Sequence, residues 1–176
     1  MAPQTPWFQR TFSFDLPASS FPQILERLRA APDRLEERLR SVSSRILVQR
    51  DGERWSIQEN AGHLLDLEPL FNRRLDDFLA GAAVLTPADL DNRKTDEADH
   101  NARSIIELLA EFRVARMRLI GRLEGLGAAD LERTVLHPRL QQPMRIVDQA
   151  FFIAEHDDHH LARITELLAA YSQPEE

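Results

Sequence analysis

Two histidines one helical turn apart are the residues of this sequence best suited to chemistry. His156 and His160 belong to the run EHDDHH at positions 155–160, and residues four apart on a helix lie on the same face. Apolar residues continue this face in both directions, which predicts that the pair points into the core: Ile153, Ile164 and Leu167. Buried imidazoles without partners would each cost on the order of 1–3 kcal/mol. One metal ion could be the partner of both.

A third histidine, His63, lies on a different predicted helix. That helix begins at Ser56, which is followed three residues later by Glu59 in the capping-box pattern. Two helices of a bundle can bring three imidazoles around one divalent ion and leave a position open to water or substrate. Acidic residues near the three histidines are candidates to orient the rings through their free nitrogens: Glu59, Asp66, Glu155 and Asp157.

The other histidines are placed outside this predicted metal site. His159 is three residues from His156, but the four-residue spacing matches the apolar stripe better. His100 and His137 fall in predicted loops, where we expect solvated side chains, although His137 precedes a proline and could line the mouth of a pocket. Because an isolated HxxxH pattern is weak evidence for a metal, histidines paired with carboxylates in a plain interaction module stay an alternative.

Four long helices are predicted to position these residues. Pro32 is expected to divide the first helix into two pieces, and Pro69 is expected to kink the second. Four principal helices with short or moderate connections predict an all-α fold, an antiparallel four-helix bundle. Apolar periodicity and the helix start and stop signals place the helices over residues 21–40, 56–80, 101–123 and 145–170.

The bundle is expected to form one domain over residues 21–172, preceded by an extended arm over residues 1–20. The arm has three prolines and no helical period. Its aromatic residues are expected to be buried against the bundle or a partner subunit: Trp7, Phe8, Phe12 and Phe14. Irregular connections are predicted over residues 41–54 and 81–100, with a short turn over residues 128–133.

The composition excludes several classes of protein. The chain has 176 residues, no cysteine and a formal charge of −7. The lack of cysteine rules out disulfides and thiolate metal ligands, and the spread negative charge argues against a nucleic-acid partner. No apolar run approaches the ~20 residues of a membrane-spanning helix. Residues 1–14 do not have the pattern of a secretory signal, so we expect a cytoplasmic protein.

Two segments of the chain carry a resemblance to a known family. The sequence WSIQENAGHL at positions 55–64 with Asp66, and AEHDDHHLARI at positions 154–164, resemble the DinB/YfiT-like superfamily of metal-binding four-helix bundles. The resemblance implies a divalent metal, such as zinc or nickel, and frequent dimers. It also implies a site that maps onto His63, His156 and His160.

The resemblance implies two reactions, each on a small-molecule substrate. One is metal-dependent hydrolysis, for which Glu59 is a weak candidate as general base beside its role in the helix cap. The other is transfer of a low-molecular-weight thiol, which would need a cationic contact near the pocket. Arginines are available for that contact, although most are expected to be solvated: Arg73, Arg74, Arg139, Arg145 and Arg163. A metal-binding protein without catalytic activity is the third possibility.

Overall fold

Four long helices form the body of the protein in a computed structural model that describes residues 4–171. The long helices are α1 Phe21–Leu39, α3 Ile57–Ala80, α5 Ile105–Glu124 and α7 Ile146–Tyr171. α1 and α3 each pack against both α5 and α7. α1 therefore lies diagonally across the bundle from α3, and α5 from α7, whereas the successive helices α3 and α5 are neighbours. The expected all-α four-helix bundle is confirmed.

The prolines inside two of these helices do not break them. α1 is one continuous helix through Pro32, so the prediction of two pieces is wrong. Leu28 and Leu35, about one turn on either side of Pro32, are both fully buried. Packing of this apolar face holds the helix together although one backbone hydrogen bond is lost. α3 likewise continues through Pro69.

The connections contain short elements that the sequence analysis did not predict. Residues 41–54, expected as a loop, include a single helical turn, and residues 134–145 form an antiparallel hairpin in which Val135 pairs with Met144. Strands of four residues, one of them with Pro143, are too short for a recognisable alternation of polar and apolar residues. These elements are α2 Ser44–Leu47, α4 Arg93–Glu97, α6 Ala128–Leu131, β1 Thr134–His137 and β2 Gln142–Arg145.

The core divides into two apolar clusters along the bundle axis. One cluster contains Phe71 and Phe78, and the other contains Leu64 and Phe112. Between the clusters, buried polar side chains from three of the long helices form a layer: His63, Glu68, Arg116, His156, Asp157 and His160. Because buried polar groups need partners, this layer is where ligands or ion pairs are expected.

The arm packs on its own bundle through aromatic contacts. The ring of Trp7 lies 5.0 Å from Phe152 and 5.2 Å from Phe12. Phe8 remains 55% exposed. Two short 3₁₀ helices, Trp7–Gln9 and Ala18–Ser20, interrupt the extended backbone of the arm.

The predicted arm and domain reach slightly beyond the described part of the chain. Residues 1–3 of the arm and residue 172, the predicted end of the domain, lie outside the described residues. Within residues 4–171, no helix has the length and apolarity that a membrane crossing requires.

Candidate metal centre

A capping box sets the register of His63 at the start of α3. The Ser56 hydroxyl accepts a hydrogen bond from the Glu59 amide, and the Glu59 carboxylate accepts one from the Ser56 amide at 2.8 Å. The carboxylate also pairs with Arg50, whose Nε lies 3.0 Å away. Because the cap fixes where the helix starts, His63 is held about two turns inside it, facing α7.

The three histidines selected from the sequence come together between α3 and α7. One ring nitrogen from each of His63, His156 and His160 lies within 4.8 Å of one from the other two. Their ring centroids are 4.5–5.3 Å apart, and all three side chains are buried. Among residues 4–171, no other group of three or more histidine or acidic side chains has the spacing of a metal site.

Thr95 determines which nitrogen of His63 is free. The Thr95 hydroxyl lies 2.9 Å from His63 Nδ1 and donates to the Asp66 carboxylate at 3.0 Å. A hydroxyl has a single proton, so one that donates to a carboxylate must accept from the imidazole. His63 Nδ1 therefore carries its proton, and the lone pair is on Nε2.

Asn60 acts in the same way on His160. The Asn60 amide nitrogen donates to the carbonyl of Ser56 at 2.7 Å, which turns its oxygen toward His160 Nδ1 at 2.9 Å. That oxygen can only accept, so His160 also has its proton on Nδ1 and its lone pair on Nε2. His63 and His160 can therefore both bind a metal through Nε2.

His156 contacts the arm instead of a polar partner. Its ring meets Trp7 edge to face at 4.9 Å, and its Nδ1 is buried without a hydrogen-bond partner among the described residues. A buried nitrogen without a partner is costly unless a ligand binds that nitrogen.

All three imidazoles are held in the neutral form, which is the form that binds metals. Burial lowers the pKa of His63 to about 4. Burial and the neighbouring imidazoles lower the pKa of His156 and of His160 well below the usual range. Neutral rings with oriented lone pairs and no carboxylate among them fit a divalent ion that prefers nitrogen.

The cluster opens into a cavity of about 390 Å³. This volume is within the range of sites that bind small molecules. Aromatic and apolar side chains form most of the wall, including Trp7, Trp55, Leu67, Leu70, Phe71 and Phe152. Outside the cluster, five charged or titratable side chains also line the cavity: Arg74, Asp89, His137, Arg139 and His159.

Comparison with known families identifies the superfamily of the chain. The sequence model of the DinB superfamily matches residues 27–164. The chain belongs to the DinB superfamily. The match spans both segments from which the resemblance was inferred, so that inference is confirmed.

A solved structure shows the same DinB fold. YfiT from Bacillus subtilis superposes with a TM-score of 0.82 and 19% identity, over 94% of this chain and 95% of that one. YfiT is described as a probable metal-dependent hydrolase with an unusual four-helix bundle topology. At this identity the likeness shows the fold. A comparison with curated proteins finds no match.

Four acidic residues were expected to orient the imidazoles of this DinB-superfamily chain, and only one of them acts on an imidazole. Asp66 acts on His63 through Thr95. Glu59 is in the helix cap, and Glu155 pairs with Arg10 and Arg27 on the arm and α1. Asp157 faces the opposite way from its neighbour His156 and pairs with Arg116.

Arg116 ties the four long helices of the DinB bundle together. It is fully buried on α5 and bonds to Asp157 on α7, to Glu68 on α3 and to the carbonyl of Leu28 on α1. Burial raises the pKa of Glu68 and of Asp157 despite the nearby guanidinium. This network lies directly behind the three histidines and fixes the spacing of the helices that carry them.

The two loop histidines are buried, contrary to the expectation that they are solvated. His100 is 1% exposed and its Nε2 donates to the Asp66 carboxylate at 2.8 Å, and His137 is 2% exposed at the cavity wall. The expectation failed because loop residues in a sequence give no sign of the helix on which the loop folds. Arg74, one of the five arginines of which most are expected to be solvated, is likewise buried.

The sequence analysis missed Thr95 and Asn60 as partners of the histidines. Asn60 is three residues before His63, within the segment that carries the family resemblance, and could have been considered from that spacing. Thr95 had no such signal, because it lies in the polar connection 32 residues along the chain from its partner His63. His159 lines the cavity but lies outside the three-histidine cluster.

Proposed function

We propose that this chain binds one divalent transition-metal ion on His63, His156 and His160 and uses it to hydrolyse a small molecule. The observation that supports this most is the convergence of three buried, neutral imidazoles at a cavity of substrate size. The description of YfiT as a probable metal-dependent hydrolase agrees with it.

The residues around the cluster suit a reactive site more than a sealed structural one. When bound, a divalent ion on three imidazoles acts as a Lewis acid and lowers the pKa of a water ligand toward about 7. Thr95 and Asn60 hold two of the rings in the ligating tautomer. Trp55, 4.7 Å from His63, and Trp7 shield the site with aromatic surface while the cavity leaves one side accessible.

Zinc or nickel is the ion that we propose. The chain has no cysteine, and the cluster has no carboxylate, so its ligands are nitrogens alone. Imidazole suits zinc and nickel, whereas magnesium and calcium prefer oxygen ligands. Elemental analysis of the isolated protein identifies the ion.

Glu59 serves the helix cap in this proposal and is not the general base. Its carboxylate bonds to the Ser56 amide and to Arg50, and it does not belong to the cavity wall. The Glu59→Gln variant is therefore expected to keep the metal and any hydrolytic rate within about threefold. A decrease of the hydrolytic rate by about 100-fold, typical of a missing general base, would show that Glu59 takes part in the reaction.

Thiol transfer is the second candidate function. Two arginines, Arg74 and Arg139, line the cavity, and an acidic thiol would need such cationic contacts. A thermal-shift screen separates the two functions, because only a thiol transferase is expected to gain stability from binding a small thiol. The expected homodimer and cytoplasmic location stay predictions.

Metal content tests the proposed site. We expect about one ion per chain in protein purified without a histidine tag, and loss of that ion in His63→Ala, His156→Ala and His160→Ala. His159→Ala is the matched control, because it removes an imidazole from the same helix but outside the cluster. Metal retained by the three variants, or lost equally in the control, contradicts the assignment.

Hydrolysis is tested on the same samples. A panel of chromogenic carboxylic and phosphoric esters is assayed with metal-loaded protein, chelated protein and chelated protein after the metal is restored. Activity that follows the metal through this cycle supports a hydrolase. Activity that survives chelation and the three alanine variants contradicts it.

A further inference from the structure

Two arginines that form no salt bridge among the described residues lie on one wall of the cavity. Arg74 from α3 and Arg139 from the hairpin both line it. Within residues 4–171, no carboxylate forms a salt bridge with either of them, although the charge of Asp77 acts on Arg74 and Asp89 also lines the cavity. Arg74 is 2% exposed, and its Nε donates to the carbonyl of Thr86 at 2.9 Å. Buried charges are normally paired, so this wall is incomplete without an anion.

His137, on the same wall, has more hydrogen-bond donors around it than it can satisfy. Its Nδ1 accepts from the amides of Arg139 and Leu140 at 3.3 and 3.2 Å. A neutral imidazole has one lone pair, so Nε2 then carries the proton. Arg74 Nη1 lies 3.2 Å from that Nε2. Two donors therefore face each other, and both need an acceptor that the described residues do not supply.

Arg139 supplies a third donor without a partner. Its Nη2 is buried and has no hydrogen-bond partner among residues 4–171. Its guanidinium lies over the rings of Phe8, at 5.3 Å, and Phe152, at 5.8 Å. Aromatic faces hold the group in place without neutralising it.

We propose that Arg74, His137 and Arg139 form a binding site for the anionic head group of the substrate, a carboxylate or a phosphate monoester. One oxyanion accepts from both guanidinium groups and from His137 Nε2, and so satisfies the donors described above. The inference rests on the proposed function, since it assigns the substrate class of the same cavity.

The geometry of α3 separates Arg74 from His63 along the cavity. His63, Leu67, Phe71 and Arg74 lie on one face of the helix, and all four line the cavity. Arg74 follows His63 by eleven positions, roughly 16 Å along the axis, and the longer side chain of Arg74, which leans toward the helix N-terminus, shortens this distance. The wall between the two ends is apolar. The substrate is thus an organic acid with an apolar body and its reactive bond at the far end from the acid.

Binding of simple aromatic acids tests the anion site. Phenylacetate and phenyl phosphate are titrated into the full chain by calorimetry, with phenylacetamide as the uncharged probe. We expect at least one acid to bind and the amide not to bind, and the tighter acid identifies the head group. Arg139→Gln is expected to weaken acid binding about tenfold or more. His137→Phe, which removes a donor without removing a charge, is expected to weaken it as well.

Two further variants test whether acid binding depends on the anion site and not on the metal. Arg133→Gln is the matched control, because Arg133 precedes the same hairpin but pairs with Asp130 outside the cavity. It is expected to bind like the wild type. His63→Ala is expected to lose the metal and keep the acid, which excludes binding of the acid to the metal itself.

The outcomes separate this inference from the proposed function. Acid binding by a wild type that contains no metal contradicts the hydrolase but supports the anion site. A metal-loaded protein that binds neither acid, binds the amide equally well, or is unaffected by Arg139→Gln contradicts the anion site. Thermal melts of each variant check that the fold is retained.

Discussion

Thr95 Oγ1 lies 2.9 Å from Nδ1 of His63, although the two residues are 32 positions apart in the chain. Through this contact the carboxylate of Asp66 acts on a proposed metal ligand by way of a hydroxyl group. Hydrogen bonds of this kind fix the orientation and tautomer of a ligating imidazole and raise its basicity.

Removal of the Thr95 hydroxyl is expected to weaken metal binding. Thr95→Val keeps the shape of the side chain but leaves His63 Nδ1 without an acceptor, and we expect the metal affinity to fall about 10–100-fold. Competition with a chromogenic chelator measures it. Thr95→Ser keeps the hydroxyl and is expected to bind like the wild type, so equal affinities in the valine and serine variants would contradict the role of Thr95.

Gly62 is expected to tolerate no side chain, because His100 occupies the space of its Cβ. A Cβ built on Gly62 falls 2.3 Å from His100 Cγ. Glycine to alanine in a helix normally adds about 1 kcal/mol of stability. At position 62 we expect the reverse, a loss of about 1–3 kcal/mol from the steric clash. Chemical denaturation measures the free energy of unfolding.

Gly121 is the matched control for that substitution. It also lies inside a long helix, α5, and a Cβ there meets nothing within 4 Å. Gly121→Ala is expected to add about 0.5–1 kcal/mol. If Gly62→Ala stabilises the protein as much as Gly121→Ala does, the close approach of His100 is not part of the fold in solution.

Substitution of Arg116 is expected to lower the free energy of unfolding more than substitution of any other residue of the bundle. Arg116→Met leaves the carboxylates of Glu68 and Asp157 buried without their cation, at a cost of about 3–5 kcal/mol. Replacing all three by apolar residues is expected to cost much less, because no buried charge is then left. The exposed pair of Arg122 with Asp76 offers a control, since Arg122→Met is expected to cost less than about 1 kcal/mol.

His137 is expected to make the stability depend on pH. Burial, with the charges of Arg74 and Arg139, lowers its pKa to about 3. The unfolded chain binds a proton at this residue below about pH 6.5 and the folded chain does not, so acid favours unfolding. Stability is therefore lost as the pH falls from about 6.5 toward 3, by about 1.4 kcal/mol per pH unit from this residue.

The comparison with His137→Gln isolates that contribution. Denaturation curves between pH 7 and 5, recorded with chelator in both proteins, are expected to show an average slope that is smaller in the variant by about 1 kcal/mol per pH unit. Identical slopes would mean that His137 takes up its proton in the folded state.

Much of the bundle could be predicted from the sequence, because helical periodicity and capping are local properties. The cap at Ser56 and Glu59 gave the start of the second long helix to within one residue. The interruption expected at Pro32 was wrong because the cost of a proline is local, whereas the packing that outweighs it is not. The hairpin was missed since its strands have four residues each.

The sequence by itself determined that His156 and His160 share one face, because the rise and turn of an α-helix leave residues four apart no other arrangement. The tertiary structure alone decided that Thr95 and Asn60 orient the rings, that His100 is buried, and that Arg74 and Arg139 line the same wall of a cavity. Such contacts join segments distant in the chain, and their partners are set by how the four helices pack, which no local pattern of residues encodes.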